Sequence, residues 1–183
     1  GLQIFSEGIV SLSNITANDG SAMGADINNS SAGSALAVTL TGVNNFNNNN
    51  VTGLLINSRG AIILNTVTAN GNTAGFGAEL VNTFSTNSSV VTLIGKNTFN
   101  NNGLGGLDVD SKGAVTASSL TASSNQASYG VFIDTLLNVT LTGTNIFNAN
   151  ANDNLRVQTS GTVSLSNINA TGSVAGYGAY IDN

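Results

Sequence analysis

The sequence predicts an all-β protein, a parallel β-solenoid of about seven stacked coils of about 24 residues each, with no helices. Three observations predict it: similar segments recur at a near-constant interval, apolar residues within each segment alternate with period two, and no segment carries a helical stripe. The recurring segments are VSLSNITAN from Val10, VTLTGVNNF from Val38, IILNTVTAN from Ile62, VTLIGKNTF from Val91, VTASSLTAS from Val115, VTLTGTNIF from Val139 and VSLSNINAT from Val163. Their starts are separated by 28, 24, 29, 24, 24 and 24 residues, so four or five residues are inserted twice, around 30–37 and 84–90.

Each element of a coil follows from this pattern. Counting the first Val or Ile as position 0, position 2 is Leu12, Leu40, Leu64, Leu93, Ala117, Leu141 and Leu165, which gives one short strand with an apolar inner face. A further strand follows a Gly at position 15, as in GLLIN from Gly53, GLDVD from Gly106 and GVFID from Gly130. Its inward pairs include Leu54/Ile56, Leu107/Val109, Val131/Ile133 and Leu155/Val157. A middle strand is expected around positions 5 to 8. Three short strands cannot bury their own inner face, so coils must stack like on like, ~4.8 Å apart, in a rod of roughly 34 Å. The core alternates in size: Ala17, Ala69, Ala122 and Ala170 mark one type of coil, and Phe46, Phe99 and Phe147, expected in the core, mark the other. Small layers between bulky ones fill an interior without voids, so the true repeat is a pair of coils.

The 183 residues suit a single solenoid domain, 1–183, and 40% hydrophobic residues suit a packed core. Only 7% are charged, so solubility rests on Asn, Ser, Thr and Gly. The net charge of −5, without a basic cluster, excludes nucleic acid as a partner. Cys, His, Pro and Trp are absent, which removes disulfides, thiolate or imidazole metal sites and histidine bases, and no cofactor is implied. No apolar run approaches the ~20 residues of a membrane-spanning helix. The opening GLQIFSE has neither an initiator Met nor a signal-peptide pattern, and is read as the start of an excerpt or of a processed chain.

Coils of about 24 residues with V-x-L, then an apolar-x-x-N step, then G-[LVA]-x-[IVL], resemble the right-handed parallel β-helix repeats of pectate-lyase-like proteins and of large bacterial surface proteins. The resemblance runs the whole length of the chain. It implies right-handed coiling and an extracellular or cell-surface location in a bacterium. It implies little about activity, because the same solenoid serves lyases, hydrolases, tailspikes and adhesins.

Three residues after an apolar residue of the middle strand stands an Asn in most coils: Asn18, Asn49, Asn70, Asn102 and Asn150. Asn tolerates left-handed turns, and stacked amides bond to one another, so these five are expected to form a turn ladder along the axis. Asn-x-Ser/Thr sequons at Asn14, Asn28, Asn29, Asn50, Asn87, Asn138 and Asn169 are read as a consequence of composition.

One constellation has catalytic potential. Asp108, Asp110 and Asp134 are expected on adjacent coils of one face, where they would act as paired acids on a sugar or hold Ca²⁺. The enzymes resembled pair such acids with Arg, Lys or His in a cleft walled by long loops. Here Arg156 is the one nearby base, and both insertions are too short to wall a cleft. The acids therefore read first as a sparse surface charge that prevents clumping. Phe132 and Tyr180 on that face would stack on sugar rings or stand as isolated exposed residues. The outward Thr of the first strand, Thr39, Thr92, Thr116 and Thr140, resemble the ice-binding face of solenoid antifreeze proteins, with Ile63 and Ile94 interrupting the array.

GLQIFS at the start aligns with GLLINS from Gly53, and the chain closes on GAYIDN from Gly178, so both ends fall at the same phase of a coil. Uncapped strand edges are templates for further pairing. The expected function is a structural, non-enzymatic segment of a cell-surface filament or adhesin stalk, which continues in a longer chain or stacks end to end on copies of itself, with surface glycans as further partners. The alternatives are a carbohydrate-active or carbohydrate-binding solenoid that uses the acidic face, and an ice-binding protein.

Overall fold

The computed structural model describes residues 1–84 and 86–183, which form a parallel β-solenoid of about eight turns with no helix among them. Three sheets run along its axis. Sheet A has eight strands, from Leu2–Phe5 to Ala179–Asp182; sheet B has seven, from Val10–Ser13 to Val163–Leu165; sheet C has six, from Asn44–Asn45 to Ile168–Thr171. Sheet A holds one strand more than sheet B because the chain both enters and leaves through it. Val10, Val38, Ile62, Val91, Val115, Val139 and Val163 are successive partners in one register.

Two corners of each coil turn through left-handed backbone. Between sheets B and C the turning residue is Asn14, Thr66, Ser119 or Asn167 in the Ala coils, with φ of 48–53°. In the Phe coils it is Gly42, Gly95 or Gly143, with φ of 70–74°. The difference has a cause in chain length. Phe46 lies six residues after Leu40, whereas Ala69 lies five after Leu64, so a Phe coil carries one residue more through this corner. Gly accommodates the wider turn without a Cβ penalty. The third corner, from sheet A to sheet B, is three or four residues long except at the two insertions. There buried Asn29 and Asn82 occupy the place of Ser58 and Ser111, and their amide nitrogens donate to the carbonyls of Leu36 (2.8 Å) and Ser89 (2.7 Å), tying each inserted loop back to the rod.

The extra residue also explains the core. Register places Ala17, Phe46, Ala69, Phe99, Ala122, Phe147 and Ala170 in one column, and all three Phe are fully buried. Two residues earlier in each coil runs a second inward column: Ile15, Asn44, Val67, Asn97, Leu120, Asn145 and Ile168. Large and small therefore alternate along both columns in opposite phase, an aliphatic residue accompanying Ala and an Asn accompanying Phe.

Asn44, Asn97 and Asn145 are wholly buried, and a buried amide needs partners. Their oxygens accept the backbone N–H of Ile15 (3.1 Å), Val67 (2.9 Å) and Leu120 (3.1 Å) in the preceding coil. Their nitrogens donate to carbonyls of their own corner, Thr41 (3.2 Å), Ile94 (3.2 Å) and Thr142 (3.1 Å). The wider corner takes a backbone carbonyl out of the ladder, and the side chain supplies the missing acceptor.

This packing yields two outcomes measurable by urea denaturation. Phe99→Ala should lower stability by about 3–5 kcal/mol, the range for emptying a buried aromatic site. Asn97→Leu, although more apolar and likewise branched at Cγ, should also destabilise, by about 1–3 kcal/mol, because the Val67 N–H loses its acceptor. A stabilised Asn97→Leu protein would contradict the role given to this column.

Candidate functional site

The amide ladder and the outer face of sheet A are two places where polar side chains gather. The ladder is built on the turn after the Ala/Phe column. Each side-chain nitrogen donates to the side-chain oxygen one coil on: Asn49 to Asn72 (3.2 Å), Asn72 to Asn102 (2.9 Å), Asn102 to Asn125 (3.1 Å) and Asn125 to Asn150 (2.8 Å). The same oxygens also accept the backbone N–H of the preceding Asn at 2.9–3.0 Å. The next coil has Ser173 at this place, and Asn154 from the coil of Asn150 closes the run at 2.7 Å.

Asn49, Asn102 and Asn150 thus stand in the buried ladder, but Asn18 and Asn70 do not. Those two lie one residue after Ala17 and Ala69, in an outer column. Asn18 accepts the N–H of Asn47 (2.7 Å) and Asn70 that of Asn100 (2.6 Å). The physical reason is the shorter corner of the Ala coils, where the count of three must start from Ala69 or Ala122 and not from Val67 or Leu120. Counted so, the sequence points to Asn72 and Asn125, which the five-residue reading missed.

On sheet A the outward residues form two columns. One holds Gln3, Asp26, Leu55, Glu79, Asp108, Phe132, Arg156 and Tyr180; the other includes Val81, Asp110, Asp134, Gln158 and Asp182. Asp134 is the neighbour of Asp110, whereas Asp108 is flanked by Glu79 and Phe132. Among the described residues no group of three carboxylates is gathered to hold a metal ion. Side chains on a flat sheet stand parallel, about 6.6 Å apart along a strand and ~4.8 Å apart between coils, and do not turn toward a common point. The nearest hollow is an open depression of about 330 Å³ lined by Thr83, Asp110, Ser111, Lys112, Asp134 and Leu136.

The carboxylates nonetheless disturb one another. Burial, and then the charges of Asp110, Glu79 and Asp134, push the Asp108 carboxyl from 3.8 up to about 7, against the opposing pull of the Val109 N–H. Its Oδ1 is buried without a hydrogen-bond partner among the described residues. Burial, then the Asp110 charge, raises Glu79, and burial, then the Asp134 charge, raises Asp110.

Beyond the acids lies an aromatic cluster. The rings of Tyr129 and Phe132 have centroids 5.3 Å apart, and those of Tyr177 and Tyr180 5.7 Å. The Arg156 guanidinium lies over both pairs, 5.6 Å from the Tyr129 centroid and 4.7 Å from that of Tyr180. It also pairs with Asp153 at 3.4 Å. Tyr129 and Tyr177 escape a strand-based reading because they stand at the corner just before the Gly that opens the strand. The available signal was the recurrence of an aromatic residue before that Gly, at Phe76, Tyr129 and Tyr177.

The raised Asp108 has a consequence for stability. The folded chain holds a proton on Asp108 between pH 3.8 and about 7 where the unfolded chain has released it, so stability falls as pH rises through that window. Asp108→Asn should flatten the decline of Tm between pH 4 and pH 8 and raise Tm at pH 8. Equal slopes for the two proteins would show that Asp108 titrates normally.

Compared with protein-family models, curated proteins and solved structures, the chain matches none.

Proposed function

We propose that this solenoid is a structural, non-enzymatic element of an extracellular or cell-surface filament or adhesin stalk in a bacterium. The observation that carries this reading is the continuity of hydrogen bonding along the axis. Three parallel sheets and a buried amide ladder join successive coils, so tension along the rod is shared by backbone and side chains together. The faces are flat, and the insertions that break the period are held back against the rod by Asn29 and Asn82.

The alternation of coils also limits what can extend the rod. A coil laid on the Ile168/Ala170 layer fits if it brings an Asn acceptor for the Ile168 N–H and a Phe over Ala170, as Asn145 and Phe147 do for Leu120 and Ala122.

One observation favours a second reading, a carbohydrate-active enzyme. Asp108 has the character of an acid that keeps its proton near neutrality, as a general acid on a glycosidic bond must. Electron microscopy of native material labelled with antibody to this chain separates the two. Label along extended surface rods is the expected result. Label confined to discrete soluble particles, or polyuronide turnover abolished by Asp108→Ala, would overturn the structural reading.

A further inference from the structure

We propose that the aromatic strip of Tyr129, Phe132, Tyr177 and Tyr180, with the carboxylates of Asp110 and Asp134 beside it, is a binding face for an extended amino-sugar polysaccharide. All three tyrosines of the chain lie in this strip. Tyr129, Phe132 and Tyr180 are half-buried, and Tyr177, in the last coil of the sequence, is exposed. Rings presented to solvent on a rigid support suit a partner that has one apolar and one polar side, and the C–H face of a pyranose is such a surface.

The strip is held in place. Arg156 lies over Tyr129 and Tyr180 and pairs with Asp153, whose Oδ1 accepts the N–H of Tyr177 at 2.6 Å. The Tyr129 and Tyr177 corners are two coils apart, ~10 Å along the axis, comparable with the disaccharide repeat of a β-linked chain. A saccharide lying along the axis would thus meet a ring at every second sugar.

Charge selects the kind of saccharide. Asp110, Asp134, Gln158 and Asp182 run parallel to the aromatic strip in one register. They present hydrogen-bond acceptors, mostly anionic, with Arg156 stacked within the strip and Lys112 beside Asp110 and Asp134. Such a face attracts protonated amino groups and repels uronate carboxylates. A peptide strand is the weaker fit, because peptides pair with sheet edges by main-chain bonds, whereas this is the outer face of a sheet.

Tyrosine fluorescence tests this directly, since the chain has no Trp to mask it. Titration with partly N-acetylated glucosamine oligomers should give a saturable change. Binding should weaken about tenfold or more in Tyr177→Ala and in the Asp110→Asn/Asp134→Asn protein, and persist in Tyr177→Phe, which keeps the ring. Polygalacturonate should not bind. No saturable binding of the glucosamine oligomers, equal binding of polygalacturonate, equal binding of oligolysine, or unchanged affinity in Tyr177→Ala with its melting curve intact would each overturn the proposal.

Discussion

In-register stacking is the constraint on which everything else in this chain depends. Each residue that points inward must fit the residue above it and the residue below it, and each backbone group freed at a corner must find a partner in an adjacent coil. The chain meets this with two kinds of coil in strict alternation. Where Phe46, Phe99 and Phe147 fill the core, the corner before them is one residue longer, and Asn44, Asn97 and Asn145 restore the hydrogen bond that the longer corner removes. Where Ala69 and Ala122 leave room, Val67 and Leu120 fill it. Packing and hydrogen bonding are thus solved together, pair by pair, and a single unmatched coil fails on both counts.

Because the interior is committed to stacking, chemistry is confined to outward positions, which the register aligns into columns without regard to what they carry. A column that runs from Asp26 through Glu79 and Asp108 to Phe132, Arg156 and Tyr180 is therefore a place where surface properties change along the rod while the core does not. The acids occupy its middle and the rings its far end. Burial, and then the neighbouring carboxylates, raise Asp108, while parallel side chains on a flat face do not converge on a common point.

Much of this was legible in the sequence because period-two alternation and a near-constant repeat leave few other folds open. The coil starts at Val10, Val38, Ile62 and onward lie in one register, and Phe46, Phe99 and Phe147 are buried. The polar interior was less legible. Asn72 and Asn125 stand in the ladder, where Asn18 and Asn70 had been expected, because a one-residue difference between corners shifts the count, and that difference becomes visible only when strands are paired. Tyr129 and Tyr177 were missed because they lie outside the alternating segments, at corners where no periodicity applies. The acidic face could be located but not its geometry, since neighbours across coils depend on register and not on spacing.

The most direct test of the account is hydrogen exchange of the side-chain amide protons of Asn72, Asn102 and Asn125, followed by NMR. If these amides form a buried, axially bonded ladder, their protons exchange as slowly as the best-protected backbone amides of sheets A and B, through global opening. Exchange at the rate of exposed Asn side chains would contradict it.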